Sequence, residues 1–203
     1  MGQGEGDEVN RALDVVVAGA GLALASPVLG LAALATKLES GGPVLYRQTR
    51  VGREGEDFEV LKLRTMVVGA EKLGAGFAVD KGDSRITRVG RILRRTSIDE
   101  LPQLWNVLIG NMSLVGPRPH ALGSTAGGAL FWQAVNGYWT RHAMKPGLTG
   151  LAQVRGFRGA THSLQDIERR VAADLEYVNT WSIWLDLKIL IKTPLVMMHR
   201  NAF

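Results

Sequence analysis

An uncharged apolar run near the N-terminus limits what this chain can fold into more than any other feature. Val15–Thr36 holds about 22 residues without a charged side chain, and at 1.5 Å per residue such a helix can cross a hydrocarbon core of roughly 30 Å. The remainder of the 203 residues is of mixed polarity and is long enough for one ordinary domain. The sequence therefore predicts one membrane helix attached to one domain.

Ser26-Pro27 lies near the middle of this run, and a proline there removes a backbone donor and disfavours a straight helix. Two membrane geometries follow: a kinked helix that crosses, or a broken helix that enters one leaflet and returns. Arg11 and Lys37 place cations at both ends, which favours the re-entrant form with both ends cytoplasmic. A buried helix of a soluble core is the third alternative, whereas the acidic flank argues against a cleaved signal peptide.

The rest of the chain predicts an α+β domain that is mostly helical. Alternating polarity around the turn Gly52–Glu56 predicts a small hairpin, and apolar residues at helical spacing predict helices further along. The Gly- and Ala-rich stretch Ala121–Gly128 is typical of a mobile loop. The expected strands are Val44–Arg47, Phe58–Leu63 and Leu151–Val154. A helical pattern is expected from Ile86 onwards, in which Leu101, Leu104, Trp105 and Leu108 recur at helical spacing, and a further helix is expected over Ser163–Asn179.

The stretch Trp181–His199 is predicted to be an amphipathic helix. A helix that faces the protein core and a helix that lies in the membrane interface both fit this pattern, so both remain open. The apolar arc holds Ile183, Trp184, Leu187, Leu190, Ile191, Met197 and Met198, and the opposite arc holds Ser182, Asp186, Lys188, Lys192 and His199.

Charge and cysteine content narrow the chemistry. Lys and Arg number 24 against 19 Asp and Glu, and the net charge of +5 points to an anionic partner: nucleic acid, a phosphorylated small molecule or an acidic lipid surface. The absence of cysteine excludes thiolate nucleophiles, disulfides and Cys-ligated zinc. A zinc hydrolase is also disfavoured, because no paired ligand spacing joins His120, His142, His162 and His199.

A series of basic residues leads to two adjacent carboxylates, Asp99 and Glu100. Ser97 and Glu100 match a capping box, in which both acids would only stabilise a helix N-terminus. The same cationic surroundings keep a carboxylate ionised and able to attack phosphorus, giving an acyl phosphate, while its neighbour supplies an oxygen ligand for Mg²⁺. The basic residues are Lys81, Arg85, Arg88, Arg91, Arg94 and Arg95, and on a helix the arginines at steps of three form one stripe.

Arg118 lies between two prolines, Pro117 and Pro119, which fix the backbone on both sides. A guanidinium held in this way loses little entropy when it binds a phosphate. The alternative is a rigid turn without a binding role. The residues alone leave both interpretations open.

Four long segments resemble the bacterial sugar transferases, also called monotopic phosphoglycosyl transferases. Their order and length make this resemblance, which covers nearly the whole chain from Arg11, far more specific than any short motif. The segments begin at Lys37, Arg85, Arg141 and Tyr177 and read KLESGGPVLYRQTRVGREGEDFEVLKLRTM, RITRVGRILRRTSIDELPQLWNVLIGNMSLVGPRPHA, RHAMKPGLTGLAQVRGFRG and YVNTWSIWLDLKILIKT.

The resemblance implies a re-entrant helix broken at Ser26 and Pro27, amphipathic interfacial helices, and a catalytic domain on the cytoplasmic side of the bacterial inner membrane. It implies that Asp99 is the nucleophile and that Glu100 binds Mg²⁺. The implied reaction moves a hexose-1-phosphate from a UDP-sugar to undecaprenyl (polyprenyl) phosphate and releases UMP. The implied organisation is a flexible tail over residues 1–10, the membrane helix over 11–38 and the catalytic domain over 39–203.

The resemblance also assigns further site residues. Arg94 is implied in phosphate binding and Pro117, Arg118 and Pro119 in the active-site turn, with Lys62 and Arg64 as additional substrate-binding candidates. Two segments, Gly116–Ala121 and Arg155–Gly159, favour UDP-glucose or UDP-galactose as donor in exopolysaccharide or capsule assembly. The insert Ala121–Asn136 has no assigned role.

Two other classes of protein compete with this interpretation. The arginine stripe is compatible with a membrane-tethered nucleic-acid binder, although the aromatic residues cluster near the C-terminus rather than among the arginines. The fold is also compatible with a non-catalytic scaffold of polysaccharide assembly. A homo-oligomer is compatible with the sequence, but no heptad run supports one.

Overall fold

A computed structural model describes residues 3–70, 82–159, 161 and 163–197. Within these ranges the chain is mostly helical with three small two-stranded sheets, which confirms the predicted α+β class. The helices are α1 (Gln3–Ser40), α2 (Arg88–Thr96), α3 (Gln103–Leu108), α4 (Phe131–Ala134), α5 (Leu151–Val154), α6 (Leu164–Thr180) and α7 (Ile183–Met197). The strands are β1 (Leu45–Val51), β2 (Asp57–Leu63), β3 (Ser113–Val115), β4 (Thr125–Ala126), β5 (Ala129–Leu130) and β6 (Gly147–Thr149).

Helix α1 is one element that contains Pro27, so the predicted break into two helices is not confirmed. Proline has no N–H to donate to the carbonyl of Ala23, four residues earlier. The Ser26 hydroxyl donates to that carbonyl instead, at 2.8 Å, and so replaces the missing partner. The helix begins at Gln3, inside the predicted tail, and residues 1–2 lie outside the described part of the chain.

The two faces of α1 differ in exposure. Over Glu8–Ser40 the helix is long and apolar enough to cross a membrane, and large side chains such as Leu24 and Leu31 are 82% and 70% exposed. On the other face Ala18 is buried, and Gly21 lies against Leu104 of α3. A membrane-compatible surface and a face packed on the domain therefore run along the same helix.

The predicted hairpin is confirmed as the antiparallel pair β1–β2, with Leu45 opposite Leu63 and Val51 opposite Asp57. Exposure alternates along β1, as expected of a strand with one face towards the protein, although Leu45 lies on the exposed face and Arg50 on the less exposed one. Asn106 of α3 bonds to the backbone of β2: its side chain accepts from Leu61 N at 3.0 Å and donates to Glu59 O at 2.7 Å. This contact fixes the hairpin against the segment that follows Asp99 and Glu100.

The second sheet pairs β3 with β6 in parallel, Ser113 opposite Gly147 and Val115 opposite Thr149. Gly116 and Gly147 are required where these strands continue, because a Cβ on Gly147 would lie 2.1 Å from Gly116 N. The main core lies around this sheet and under α1. It is built from Ala18, Phe58, Val60, Leu104, Val107, Met112, Leu114, Val115, Leu151, Tyr177 and Ile189.

Several expectations about local structure were wrong. Leu151–Val154 is helix α5 rather than a strand, since a short apolar run fits either element and the strand ends at Thr149, before Gly150. The stretch Ala121–Gly128 contains strand β4, which pairs with β5 in a small hairpin. The helical pattern expected from Ile86 is found as two helices, α2 and α3, and the helix expected over Ser163–Asn179 is found as α6.

The predicted division of the C-terminal helix into an apolar arc and a polar arc is also wrong. On α7, Asp186 of the predicted polar arc is buried, whereas Trp184 and Ile191 of the predicted apolar arc are exposed. The Asp186 carboxylate can be buried because it accepts from the Tyr177 hydroxyl at 2.7 Å and from Trp181 Nε1 at 3.0 Å. Met198 and His199, which belong to the same prediction, lie outside the described residues.

Candidate active site

The adjacent acids Asp99 and Glu100 lie in a single 3-10 turn, Ile98–Glu100, between α2 and α3. Ser97 ends α2 in the left-handed conformation, with φ 55°, and its side chain makes no capping hydrogen bond. The predicted capping box is therefore wrong, because the Glu100 side chain turns away from Ser97 towards basic residues. A serine held at positive φ is a strained conformation of the kind found at functional sites.

Glu100 is held between two cations. Lys62 Nζ donates to Glu100 Oε1 at 2.8 Å, and both terminal nitrogens of Arg118 donate to the same carboxylate, Nη1 to Oε2 at 3.3 Å. Burial raises the pKa of Glu100, but the charges of Arg118 and Lys62 outweigh it and hold that pKa well below its ordinary value. Glu100 is therefore ionised throughout the neutral range.

Asp99 lies beside this cluster in a different environment. It is only 8% exposed, and no described residue donates a hydrogen bond to its carboxylate. Burial and the adjacent Glu100 charge raise the pKa of Asp99 to about 6, against the opposing charges of Lys62, Arg94 and Arg118. The sequence predicted that cationic surroundings would keep this carboxylate ionised, but burial and Glu100 outweigh those charges, so its pKa lies only about one unit below pH 7. Its oxygens accept no hydrogen bond from a described residue.

Arg94 approaches Asp99 and Glu100, the dyad, from α2. The predicted arginine stripe is only partly present. Arg94 Nε donates to Thr65 Oγ1 at 2.7 Å, whereas Arg88, Arg91 and Arg95 are exposed. Helix α2 lies directly on the chain after β2, since a Cβ on Gly90 would be 2.0 Å from Thr65 O. Two members of the stripe behave differently: Arg85 precedes α2 and pairs with Asp83 at 2.6 Å, and Lys81 lies outside the described residues.

The turn Pro117–Arg118–Pro119 is fixed at each carbonyl. Gly147 N donates to Pro117 O at 3.0 Å, a terminal nitrogen of Arg141 donates to Arg118 O, and Arg50 Nη1 donates to Pro119 O at 3.4 Å. The prolines restrict the backbone further. The Arg118 guanidinium is thus presented to Glu100 from a turn that has little freedom to move.

The residues that hold this turn were missed by sequence reasoning. Arg141 is almost fully buried and pairs with Asp174 of α6 through Nε at 2.9 Å and Nη2 at 2.6 Å. One signal was available: Asp174 follows Ile167 and Val171 at helical spacing on the buried face of α6. A carboxylate on an apolar face predicts a buried cation, although not which one.

The structure does not bring every predicted site residue together. Lys62, Asp99, Glu100 and Arg118 form one cluster that Arg94 approaches, but Arg64 lies apart from it. The Arg64 guanidinium donates to the backbone carbonyls of Gly41, Pro43 and Met66, so its contacts give it a structural role in the turn after α1. Ser26 and Pro27 lie in α1 and contribute no side chain to the cluster.

The side chains of this cluster can bind a divalent cation only together with ligands from the substrate phosphates and water. Within the described ranges no group of three or more His, Asp or Glu side chains is arranged to hold a metal. Glu100 receives one donor from Lys62 and two from Arg118, which leaves one of about four lone-pair positions of a carboxylate. One carboxylate together with substrate phosphates and water is the coordination that Mg²⁺ commonly takes.

Comparison with known proteins adds the context for this geometry. Residues 6–200 match the profile of the family described as bacterial sugar transferase. A UDP-glucose:undecaprenyl-phosphate glucose-1-phosphate transferase of Caulobacter vibrioides is 54% identical over 194 residues, which cover 95% of this chain and 71% of that protein. The protein of the same name in Escherichia coli is 50% identical over 185 residues, covering 91% of this chain and 39% of that protein.

A third relative is similar in length to this chain. The exopolysaccharide production protein PSS of Rhizobium leguminosarum is 47% identical over 193 residues, covering 95% of this chain and 96% of that protein. The match thus includes nearly the whole of a relative of similar length and parts of longer relatives. The chain belongs to the bacterial sugar transferase family and is a phosphotransferase.

Proposed function

We propose that this protein transfers hexose-1-phosphate from a UDP-hexose to undecaprenyl phosphate, through a covalent intermediate on Asp99, and releases UMP. The observation that carries the proposal is the contrast within the dyad. Asp99 is only 8% exposed and accepts no hydrogen bond from any residue that the structure describes, whereas Glu100 beside it accepts from Lys62 and Arg118. A desolvated carboxylate without a committed donor is the better nucleophile of the two.

In the first step an oxygen of Asp99 attacks the sugar-bearing phosphorus of the donor. A new bond forms between that oxygen and phosphorus, and the bond from phosphorus to the bridging oxygen breaks. The electron pair of the broken bond leaves with UMP. The charges of Arg118, Lys62 and Arg94 oppose the negative charge that develops on the phosphoryl oxygens.

In the second step a phosphate oxygen of the lipid acceptor attacks the same phosphorus. The acyl phosphate bond breaks, Asp99 regains its carboxylate, and the sugar leaves on a pyrophosphate linked to the lipid. An acyl phosphate is reactive enough to pass its phosphoryl group to another phosphate. The dyad is then ready for another donor without any net change in the protein.

Glu100 is the residue that would hold Mg²⁺, through its remaining lone pair and together with the donor phosphates. The ion, when bound, would neutralise phosphate charge near the leaving group. Lys62 and Arg118 meanwhile fix the orientation of the Glu100 carboxylate. Replacing Lys62 or Arg118 is expected to weaken donor binding and to make the activity less dependent on one optimal Mg²⁺ concentration.

We place the protein at the cytoplasmic leaflet of the bacterial inner membrane, with α1 re-entrant. The exposed apolar surface of α1 and the exposed Trp184, Ile191 and Leu195 of α7 support insertion into the membrane and its interface. The exposed Arg88, Arg91 and Arg95 of α2 would contact anionic headgroups. A lipid acceptor whose phosphate lies at the membrane surface is reached from one side without a spanning helix.

UDP-glucose is the favoured donor, with UDP-galactose as the other candidate, and exopolysaccharide or capsule assembly is the expected use of the product. The names of the Caulobacter and Escherichia relatives support glucose, and that of the Rhizobium relative supports exopolysaccharide. A panel of UDP-sugars assayed with purified protein, undecaprenyl phosphate and Mg²⁺ tests the choice by UMP release. UDP-glucose should give the highest kcat/KM of the panel.

The covalent step is tested without the lipid acceptor. UDP-glucose alone should release at most one UMP per protein molecule and leave a hexose phosphate on Asp99, found by mass spectrometry of a rapidly acid-quenched digest. Asp99→Asn should give neither the adduct nor UMP. An adduct on another residue, or UMP release that requires acceptor from the first turnover, would contradict the proposed intermediate.

The topology is tested with introduced thiols, because the chain has no cysteine of its own. Glu8→Cys at the start of α1 and Glu54→Cys in the hairpin turn place one thiol before the apolar run of the membrane helix and one after it in the chain. If α1 is re-entrant, a membrane-impermeant maleimide labels both only after spheroplasts are permeabilised. Labelling of Glu8→Cys alone in intact spheroplasts would show that α1 spans the membrane.

A further inference from the structure

Two polar residues near the start of α1 reach into the domain. Arg11 donates from Nη1 to Val107 O and from Nη2 to Leu108 O, both at 2.6 Å, so it caps the last carbonyls of α3. Asp14 is buried, and its Oδ1 accepts from Ser113 Oγ at 3.1 Å and from Leu114 N at 2.9 Å. The N-terminal half of α1 therefore holds both α3 and β3.

A third polar residue near the end of α1 holds α2. Glu39 accepts from Arg88 N through Oε1 at 2.7 Å and from Val89 N through Oε2 at 2.9 Å. Thr87 caps the next free donor, Gly90 N, at 2.9 Å. These contacts satisfy three backbone N–H groups of the first turn of α2 that have no partner within the helix.

The three elements held by α1 are those that carry the dyad and the active-site turn. Helix α2 ends at Thr96, immediately before the turn that contains Asp99, and α3 begins three residues after Glu100. Strand β3 ends at Val115 and continues into Pro117 and Arg118. The relative position of the nucleophile and its guanidinium partner thus depends on elements that meet on one helix.

We infer that α1 is a positioning element of the active site as well as a membrane helix, and that Asp14 and Glu39 set the geometry between the dyad and Arg118. The hydrogen bonds of Asp14 are to β3 and those of Glu39 are to α2, so each acts on the dyad and Arg118 through these elements. An apolar anchor needs no buried carboxylate at one end and no helix-capping carboxylate at the other. Displacements of about 1 Å at reacting groups cost up to about 100-fold in rate, so loss of these contacts should appear in kcat.

The test compares alanine and amide variants of the full chain in detergent, using UMP release in the reaction of the proposed function. Asp14→Ala and Glu39→Ala should each lower kcat about 10-fold or more while the KM for UDP-glucose stays within about threefold. Asp14→Asn should retain most activity, because Oδ1 alone accepts both hydrogen bonds and an amide keeps that oxygen. Glu8→Ala, an exposed residue of the same helix, is the matched control and should leave kcat unchanged.

Amide hydrogen exchange supplies a readout that does not depend on turnover. Asp14→Ala should accelerate exchange not only at Leu114 but also in residues 116–120. Glu39→Ala should accelerate exchange not only in the first turn of α2 but also in residues 97–101. Faster exchange confined to the directly bonded amides, or a fall in kcat no larger than the loss of folded protein, would overturn the inference. If the wild-type protein releases no UMP from any UDP-sugar, the proposed function fails and the exchange data still decide the role of α1.

Discussion

Arg118 joins two ion-pair regions that differ in their access to water. Its side chain donates to Glu100, which also accepts from Lys62, and the side chains of Arg118, Glu100 and Lys62 are 36%, 24% and 22% exposed. Its backbone carbonyl meets Arg141, whose pair with Asp174 is 1% and 3% exposed. The first region can exchange a protein partner for a phosphate or a metal ion, whereas the second is sealed and can only hold the backbone in place.

The difference between the open and the sealed region shows how one turn is both reactive and rigid. In the open region the Glu100 pairs are screened by nearby water, and replacing one partner by an incoming ion costs little. In the sealed region the Arg141–Asp174 pair is excluded from water, so its hydrogen bonds must all be kept. Substitutions that remove one partner in each region should therefore have effects of different kinds.

The largest effect is expected in the sealed region. Asp174→Asn leaves the Arg141 guanidinium buried without a counter-charge, which should lower the free energy of unfolding by about 3–5 kcal/mol. Urea unfolding followed by tryptophan fluorescence measures it. Glu176→Gln, two residues later on α6, breaks the exposed pair with Arg155 and is the matched control, with little or no change expected. Equal losses in the two variants would contradict the distinction between sealed and exposed pairs.

The next effect belongs to the open region and should appear in activity more than in stability. Glu100→Gln removes the charge that orients Lys62 and Arg118 and the proposed Mg²⁺ ligand, so UMP release should fall by about 100- to 1000-fold. Its free energy of unfolding should change much less than that of Asp174→Asn, because water reaches the cluster. Loss of folding comparable to that of Asp174→Asn would mean that the cluster is structural.

The same contrast explains which parts of this molecule the sequence predicted. The hairpin, the α6 helix, and the residues Lys62, Asp99, Glu100 and Arg118 follow from alternation, helical spacing and one long resemblance. The hairpin and α6 are local in sequence, whereas the four site residues were each named from the resemblance and their contacts were not predicted: Lys62 and Glu100 pair across 38 residues. Arg141 and Asp174 are 33 residues apart, and no local pattern indicates that they pair.

The failed expectations have a related physical cause. A helical wheel assumes that charged residues face water, but Asp186 is buried because Tyr177 and Trp181 supply donors from α6 and the link to α7. The capping box at Ser97 satisfied a local rule, yet Glu100 found stronger partners in Lys62 and Arg118. In both cases charge-assisted hydrogen bonds outweighed a local preference, from partners 38 and 18 residues away for Glu100 and from partners nine and five residues away for Asp186.

A smaller effect should distinguish Asp99 from its neighbour in stability. Because burial raises the pKa of Asp99 to about 6, its charged form destabilises the folded state at pH 7, and Asp99→Asn should stabilise the protein by an amount of order 2 kcal/mol. The gain should disappear below the ordinary pKa of an aspartate, where the carboxyl is protonated in both states. Denaturant unfolding at pH 7.5 and pH 3.5 measures the difference. A destabilised Asp99→Asn at pH 7.5 would show that the carboxylate has a structural partner.

The smallest effect is the pH dependence of the first step, measured as UMP released from UDP-glucose without acceptor. Asp99 must be ionised to attack, so the rate should be constant above its pKa of about 6 and fall tenfold per pH unit below it. Omitting the acceptor matters because a phosphate monoester also titrates near pH 6. His120 and His142 cannot produce this limb, because burial holds the pKa of His120 well below its ordinary value and lowers that of His142 to about 4.

Asp186 provides the control for that measurement. Burial raises its pKa to about 6 as well, but its carboxylate is bonded to Tyr177 and Trp181 and has no contact with the dyad. Asp186→Asn should therefore keep the acid limb, whereas a limb that disappears in this variant would assign it to protonation within the core. A limb that remains excludes Asp186, and within the open region Asp99 is the one described carboxyl whose pKa is raised to about 6.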